Sequence, residues 1–205
     1  MSLRRQKILY GVTLLVALVS LGCFFACIFS AEMVKGSVSN KDINAANFGN
    51  ITVGLIWGTK QYNYGYGLRK AERFTVYNEH TSSTKGVTAA VLSFLCVACV
   101  FNVVGIFLSM ENAFIVPIQT LQGPIGLYIW YSISGICAFI SFLMYSILYP
   151  TQMRDNIDSD SEPDFTADVT HFGYAYWLLF TGTVLVGANV GLVHLARKSI
   201  ESKVI

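Results

Sequence analysis

The sequence predicts a membrane protein of the all-α class: a four-helix bundle carrying a small extracellular antiparallel β-sheet. Three observations lead there. Of 205 residues, 54% are hydrophobic and only 13% charged, far from the composition of a soluble domain. Four windows, residues 8–29, 87–109, 125–148 and 174–196, are long enough to cross a hydrocarbon core of about 30 Å and contain no Asp, Glu, Lys or Arg. Between the first two windows, β-branched and aromatic runs at 51–57 and 73–77 are separated by Gly- and Tyr-rich turn residues, the pattern of short antiparallel strands. A few strands are marginal alone, so the sheet is expected to rest on the outer helix ends.

The first window has a signal-peptide alternative. Arg4, Arg5 and Lys7 form a basic leader, and the small residues Ser30 and Ala31 follow the apolar run. That run is too long for a signal peptide, whose apolar part is about 7–15 residues, so it reads as a span. Orientation follows from the flanks. Arg4, Arg5 and Lys7 precede the first span, and Arg197, Lys198 and Lys203 follow the fourth, which puts both termini in the cytoplasm. The loop at 31–86 holds seven basic residues, but it approaches the length of about 60 residues beyond which loop charge stops governing translocation. The plan is therefore a cytoplasmic N-terminus at 1–7, spans at 8–30, 87–109, 125–149 and 173–196, an extracellular loop with the sheet at 31–86, a cytoplasmic turn at 110–124, an acidic extracellular loop at 150–172 and a cytoplasmic C-terminus at 197–205.

The segment 31–50, rich in Asn, Ser, Lys and Gly, reads as irregular loop. Asn50-Ile51-Thr52 is a glycosylation sequon on the expected outer side, so Asn50 is the candidate modification site. In the second loop Asp155, Asp158, Asp160, Glu162, Asp164 and Asp168 face only Arg154 in number. Spaced oxygens at Asp158, Asp160 and Glu162 suit a weak calcium ion, but the glycine that an EF-hand turn needs is missing, and a solvated acidic loop is the plainer reading. All five cysteines, Cys23, Cys27, Cys96, Cys99 and Cys137, lie within spans, which leaves no loop disulfide and favours packing over metal binding. His194 sits at the basic end of the fourth span, while His80 and His171 are solitary in separate loops. Neither a triad nor an acid/base pair is in view, and no enzyme activity, cofactor, metal site or nucleic-acid partner is expected.

Spaced small residues mark the spans: Gly22 and Ala26 in the first, Ser134 and Ala138 in the third, Gly187 and Gly191 in the fourth. Such pairs let helix backbones approach, and internal packing is the expectation, with a partner face as the alternative. Asn102 and Asn189 are the midspan polar exceptions and read as interhelical hydrogen-bond donors rather than a transport route. In the second-to-third-span link, Pro117 stiffens the chain, and Gly123-Pro124 predicts a sharp turn into a helix, since proline tolerates the first helical turn.

Residues 107–135, FLSMENAFIVPIQTLQGPIGLYIWYSISG, resemble the same link in clarins, small four-span proteins related to the claudin, stargazin and peripheral-myelin-protein group. The likeness rests on Asn-Ala-Phe, the later Pro, Thr-Leu, Gly-Pro, Gly-Leu-Tyr and Ser-Ile-Ser-Gly. It continues weakly at VGLIWG and YGLRKAERF in the first loop, and Gly54-Leu55-Ile56-Trp57 resembles the claudin Gly-Leu-Trp signature with one residue inserted. Both groups carry loop cysteines that this chain lacks, so its sheet must be held by pairing and by aromatics such as Trp57, Tyr62, Tyr64 and Tyr66.

The resemblance implies a claudin-like bundle that organises the plasma membrane in sensory or other specialised cells. It also implies support of hair-bundle or synaptic complexes and links to an actin scaffold. Besides the lipid bilayer, the expected partner is another integral membrane protein, such as a channel, receptor or adhesion molecule. Gly54, Leu55, Trp57, Tyr62, Tyr64 and Tyr66 are the candidate contact residues of the sheet, with coverage of the bundle as their plainer role. Claudin-like adhesion between cells is the alternative, and a small channel or transporter is a third reading that the uncharged spans disfavour. The tail SIESKVI has a free end suited to a PDZ groove, but Lys203 fits that groove poorly and a disordered tail is the expectation.

Overall fold

A computed structural model describes residues 3–40, 49–62, 70–79, 82–114, 123–153 and 165–201. Along the chain come α1 (Leu3–Phe29), β1 (Val34–Asn40), β2 (Gly49–Val53), β3 (Trp57–Tyr62), β4 (Glu72–Thr75), the single turn α2 (Val76–Glu79), α3 (Ser82–Phe114), α4 (Pro124–Leu148), β5 (Phe165–Phe172) and α5 (Tyr174–Glu201). The four long helices contain apolar spans at Lys7–Phe29, Thr84–Phe114, Pro124–Thr151 and Tyr174–Ala196. The fold is a tetraspan helical bundle with a small antiparallel sheet.

Local chemistry sets the helix ends. After α1, the Ser30 hydroxyl accepts the Glu32 N–H at 3.0 Å and turns the chain toward β1. Helix α4 starts at Pro124, and the Gly123 carbonyl accepts the Leu127 N–H at 3.3 Å. At its other end Pro150 has no N–H to continue the α-ladder, and the helix widens into one π-turn, Tyr149–Met153.

The sheet has the order β4-β3-β2-β1-β5, every pair antiparallel. Three of its strands, β1, β3 and β5, were not expected, and the run expected at 73–77 is strand only to Thr75, Val76 and Tyr77 being helical. Residues 31–50 are not all irregular loop, because β1 pairs with β2 on one side and β5 on the other, with a bulge between Ser37 and Val38. Strand β5 comes from the second loop, where the sequence predicts an acidic loop, solvated or holding a weak calcium ion, and not a strand. The run at 51–57 is not one strand either. It breaks at Gly54, whose N–H donates to the Trp57 carbonyl at 3.0 Å, so that β2 ends at Val53 and β3 begins at Trp57. A side chain at Gly54 would collide with the Ser30 and Trp57 carbonyl oxygens, which makes glycine obligatory at this corner.

The chain divides into two compact units. One comprises Met1–Phe24, Ser93–Ile140 and Phe180–Ile205. Its core gathers Tyr10, Ala17, Leu127, Tyr131, Val193 and Ala196. The other comprises Phe25–Leu92 and Ser141–Leu179, and so contains the sheet. Under the sheet Val34, Ile51, Val53 and Phe74 are buried. A ring cluster joins them in this unit: Phe172 stacks on Tyr176 at 3.9 Å and meets Tyr149 at a tilt of 44° and 4.4 Å, and Phe142 lies 5.3 Å from Tyr176.

Candidate interaction surfaces

In the first unit the midspan polar residues are turned inward. Asn102 is fully buried, and its amide donates to the Ser20 hydroxyl at 2.8 Å and to the Ala17 carbonyl at 3.4 Å. Asn189, also fully buried, faces the Thr13 carbonyl at 3.3 Å and the Ala17 N–H at 3.1 Å, and the amide orientation that satisfies both donates to the first and accepts from the second. Two helices thus grip the same stretch of α1 by its backbone. Ser134 donates to the Ala98 carbonyl at 2.8 Å, and Ala138 beside it is fully buried. The Tyr131 hydroxyl meets Ser109 at 2.8 Å, and the ring lies directly against Gly105. Phe24 covers Gly182 in the same way. Sequence spacing missed both glycines, because each faces a ring rather than a second small residue.

The other small residues lie on outward surfaces. Gly22 and Ala26 on α1 are exposed, as are Gly187 and Gly191 on α5. A methyl group added at Gly22, Gly187 or Gly191 would meet no atom within 4 Å. Among the described residues nothing closes over the three glycines, and Ala26 is exposed, unlike the buried Ser134 and Ala138. Large apolar side chains share the outward faces, among them Leu15 at 64% and Ile136 at 60% exposure, as expected of lipid-facing helices.

The sheet carries the second surface. Strand alternation sends Ile51 and Val53 inward and Asn50 and Thr52 outward. Asn50 is exposed, opposite Ser37 on β1 and Gln61 on β3. Thr52 and Thr59, directly paired across β2 and β3, share a hydroxyl hydrogen bond of 2.7 Å. With Lys35, His171 and Gln61 they line a polar cleft of about 410 Å³, at whose edge Glu32 and Lys35 form a 2.7 Å salt bridge. Leu55 is buried at the β2–β3 corner, Trp57 is half-buried under the Arg73 guanidinium at 4.7 Å, and Tyr62 is half-buried at the end of β3. Tyr64, Tyr66 and Pro117 lie outside the described residues, as does the acidic run 155–164. Among the described residues no three His, Cys, Asp or Glu side chains come together as metal ligands would. Within the link that drew attention in the sequence, Asn112 is buried and donates to the Leu108 carbonyl at 2.7 Å.

Comparison with known proteins bears on this architecture. Residues 7–193 match the family model described as Clarin-2-like. Clarin-3 of Homo sapiens is 24% identical over 179 residues, which cover 85% of this chain and 76% of that protein. Clarin-3 of Mus musculus is 28% identical over 62% of this chain and 59% of its own length. Clarin-1 of Mus musculus is 26% identical over 72% of this chain and 65% of its own length.

Proposed function

Because the chain belongs to the clarin family, we propose that it is a non-enzymatic organiser or auxiliary subunit of a larger plasma-membrane complex. In this reading both termini are cytoplasmic, the sheet is extracellular, and Asn50 carries a glycan. The partner is a second integral membrane protein, a channel, receptor or adhesion molecule of a sensory or other specialised cell, and its cytoplasmic side reaches an actin-linked scaffold.

The carrying observation is the division of labour among the polar and small residues of the spans. Asn102, Asn189 and Ser134 hold the helices of this chain to one another, so they are not free to line a route for ions. Gly22, Ala26, Gly187 and Gly191 stay on outward faces, where a partner helix can approach closely. The cleft beside Asn50 and the half-buried Trp57 supply the sheet's share of the contact.

The test is purification of a tagged copy from native tissue in mild detergent, with cross-linking and mass spectrometry. A defined membrane protein at fixed stoichiometry, cross-linked near the sheet or an outward helix face, is expected. Recovery of the chain alone, or of homotypic arrays, would move the function to adhesion or lipid organisation. Treatment with an amidase that removes N-glycans, compared with Asn50→Gln, tests the orientation in the same preparation. Equal gel mobility of the treated and untreated protein would place the sheet on the wrong side or leave the sequon unused.

A further inference from the structure

Where the corner of the sheet meets the start of α3 there is a notch of about 150 Å³, almost wholly apolar, lined by Leu55, Val76, Tyr77, Lys85, Thr88 and Leu92. Two side chains in it are out of keeping with an apolar wall. Thr88 is 4% exposed, and its hydroxyl has no hydrogen-bond partner among the described residues. A threonine in a helix ordinarily donates to a carbonyl one turn earlier, and a buried hydroxyl left unpaired costs about 1–3 kcal/mol. Lys85 stands at the rim with its ammonium 5.5 Å from the Tyr77 ring. Being three residues apart on α3, Lys85 and Thr88 share a helix face, with the hydroxyl about 4.5 Å deeper along the axis.

We propose that this notch binds a phospholipid of the membrane leaflet on the sheet side, with Lys85 on the phosphate, Thr88 donating to a glycerol-ester carbonyl, and the first carbons of one acyl chain against Leu55 and Leu92. The placement fits the bilayer. The apolar span of α3 begins at Thr84, so Lys85 stands at the polar boundary and Thr88 one turn inside it. Ester carbonyls lie just below the phosphate layer in diacyl glycerophospholipids, the same order as the two side chains. A positive rim complements a phosphate by charge as well as by hydrogen bonding, whereas to a neutral sterol hydroxyl it offers a hydrogen bond alone. The volume matters too, since an apolar cavity of about 150 Å³ takes a single six-carbon ring, which suits the start of an acyl chain and not a four-ring body. This site depends on the chain crossing a membrane and not on its role as an organiser.

The test uses the full chain reconstituted in phosphatidylcholine vesicles with a trace of phosphatidylcholine bearing a photoreactive diazirine near the ester end of one acyl chain. After irradiation and digestion, label is expected at the notch well above that at the exposed, lipid-facing Ile136. Thr88→Val keeps the shape and removes the unpaired hydroxyl, so the fold is retained. It should lower notch labelling about three- to tenfold, the factor that one neutral hydrogen bond is worth, with Ile136 unchanged. Thr88→Ser should restore the label, and Lys85→Gln should lower it. Notch labelling no higher than at Ile136, or equal in wild type and Thr88→Val, would overturn the proposal. So would loss of notch label alone on adding cholesterol to the vesicles, which would make this a sterol site.

Discussion

The two compact units find partners for most of their buried polar groups by different means. In the sheet-bearing unit the backbone does most of it. Five strands exchange N–H and C=O groups, and side-chain pairs such as Tyr149 with Thr170, Ser146 with Tyr176, Thr52 with Thr59 and Ser141 with the Val91 carbonyl add to them. In the other unit each helix has already satisfied its own backbone, so the binding is done by side chains. Asn102 and Asn189 reach the backbone of α1, and Ser134 reaches that of α3. The difference teaches what to expect of mutations. Errors in the sheet unit act through the main chain and are hard to accommodate, whereas errors in the helical unit act through single contacts that a neighbour can partly replace.

Gly54→Ala tests this most severely. Its methyl group would strike two backbone carbonyls that cannot rotate away, and the expected loss is about 3 kcal/mol or more, read as early protease cleavage in the sheet at temperatures where the helices persist. Gly105→Ala comes next. The obstruction is the Tyr131 ring, which can shift only by giving up its bond to Ser109, so a loss of about 1–3 kcal/mol is expected by thermal unfolding in detergent. Equal or greater loss than for Gly54→Ala would break the distinction between the units. Asn102→Leu should cost about 0.6–1.7 kcal/mol, the range of interhelical hydrogen bonds in membranes, and combining it with Ser20→Ala should add little. Gly187→Ala should change the stability of the isolated chain by less than about 0.5 kcal/mol. A loss of co-purifying protein from that same variant would sharpen the comparison, since it would separate the outward glycines from Gly105.

The bundle was legible in the sequence because uncharged stretches of that length have few alternatives. The inward use of Asn102 and Asn189 was legible for a related reason: an amide amid hydrocarbon needs a partner, and only neighbouring helices provide one. Which way Gly22 or Gly187 points was not. In a soluble helix the polar face marks the outside, but these spans are apolar all round, and spacing alone gives a face without giving its direction. The strands were partly legible for a similar reason. Ile51 and Val53 announce β2. FTADVTHF does carry a strand signal, Phe165, Ala167 and Val169 alternating with Thr166, Asp168 and Thr170, but the acidic run beside it masks that signal. VKGSVSN lacks a sustained alternation and becomes β1 because partner edges are available.

That pairing sets an order of events. Strand β5 closes the free edge of β1, yet it is made only after α3 and α4 have been synthesised. At ordinary synthesis rates the interval is on the order of ten seconds. For that time the nascent chain holds an uncapped strand, open to pairing with the wrong segment or the wrong molecule. Quality control during biogenesis therefore has a defined target, the β1 edge, and lesions in the last third of the chain would be expected to appear as aggregation of the first loop.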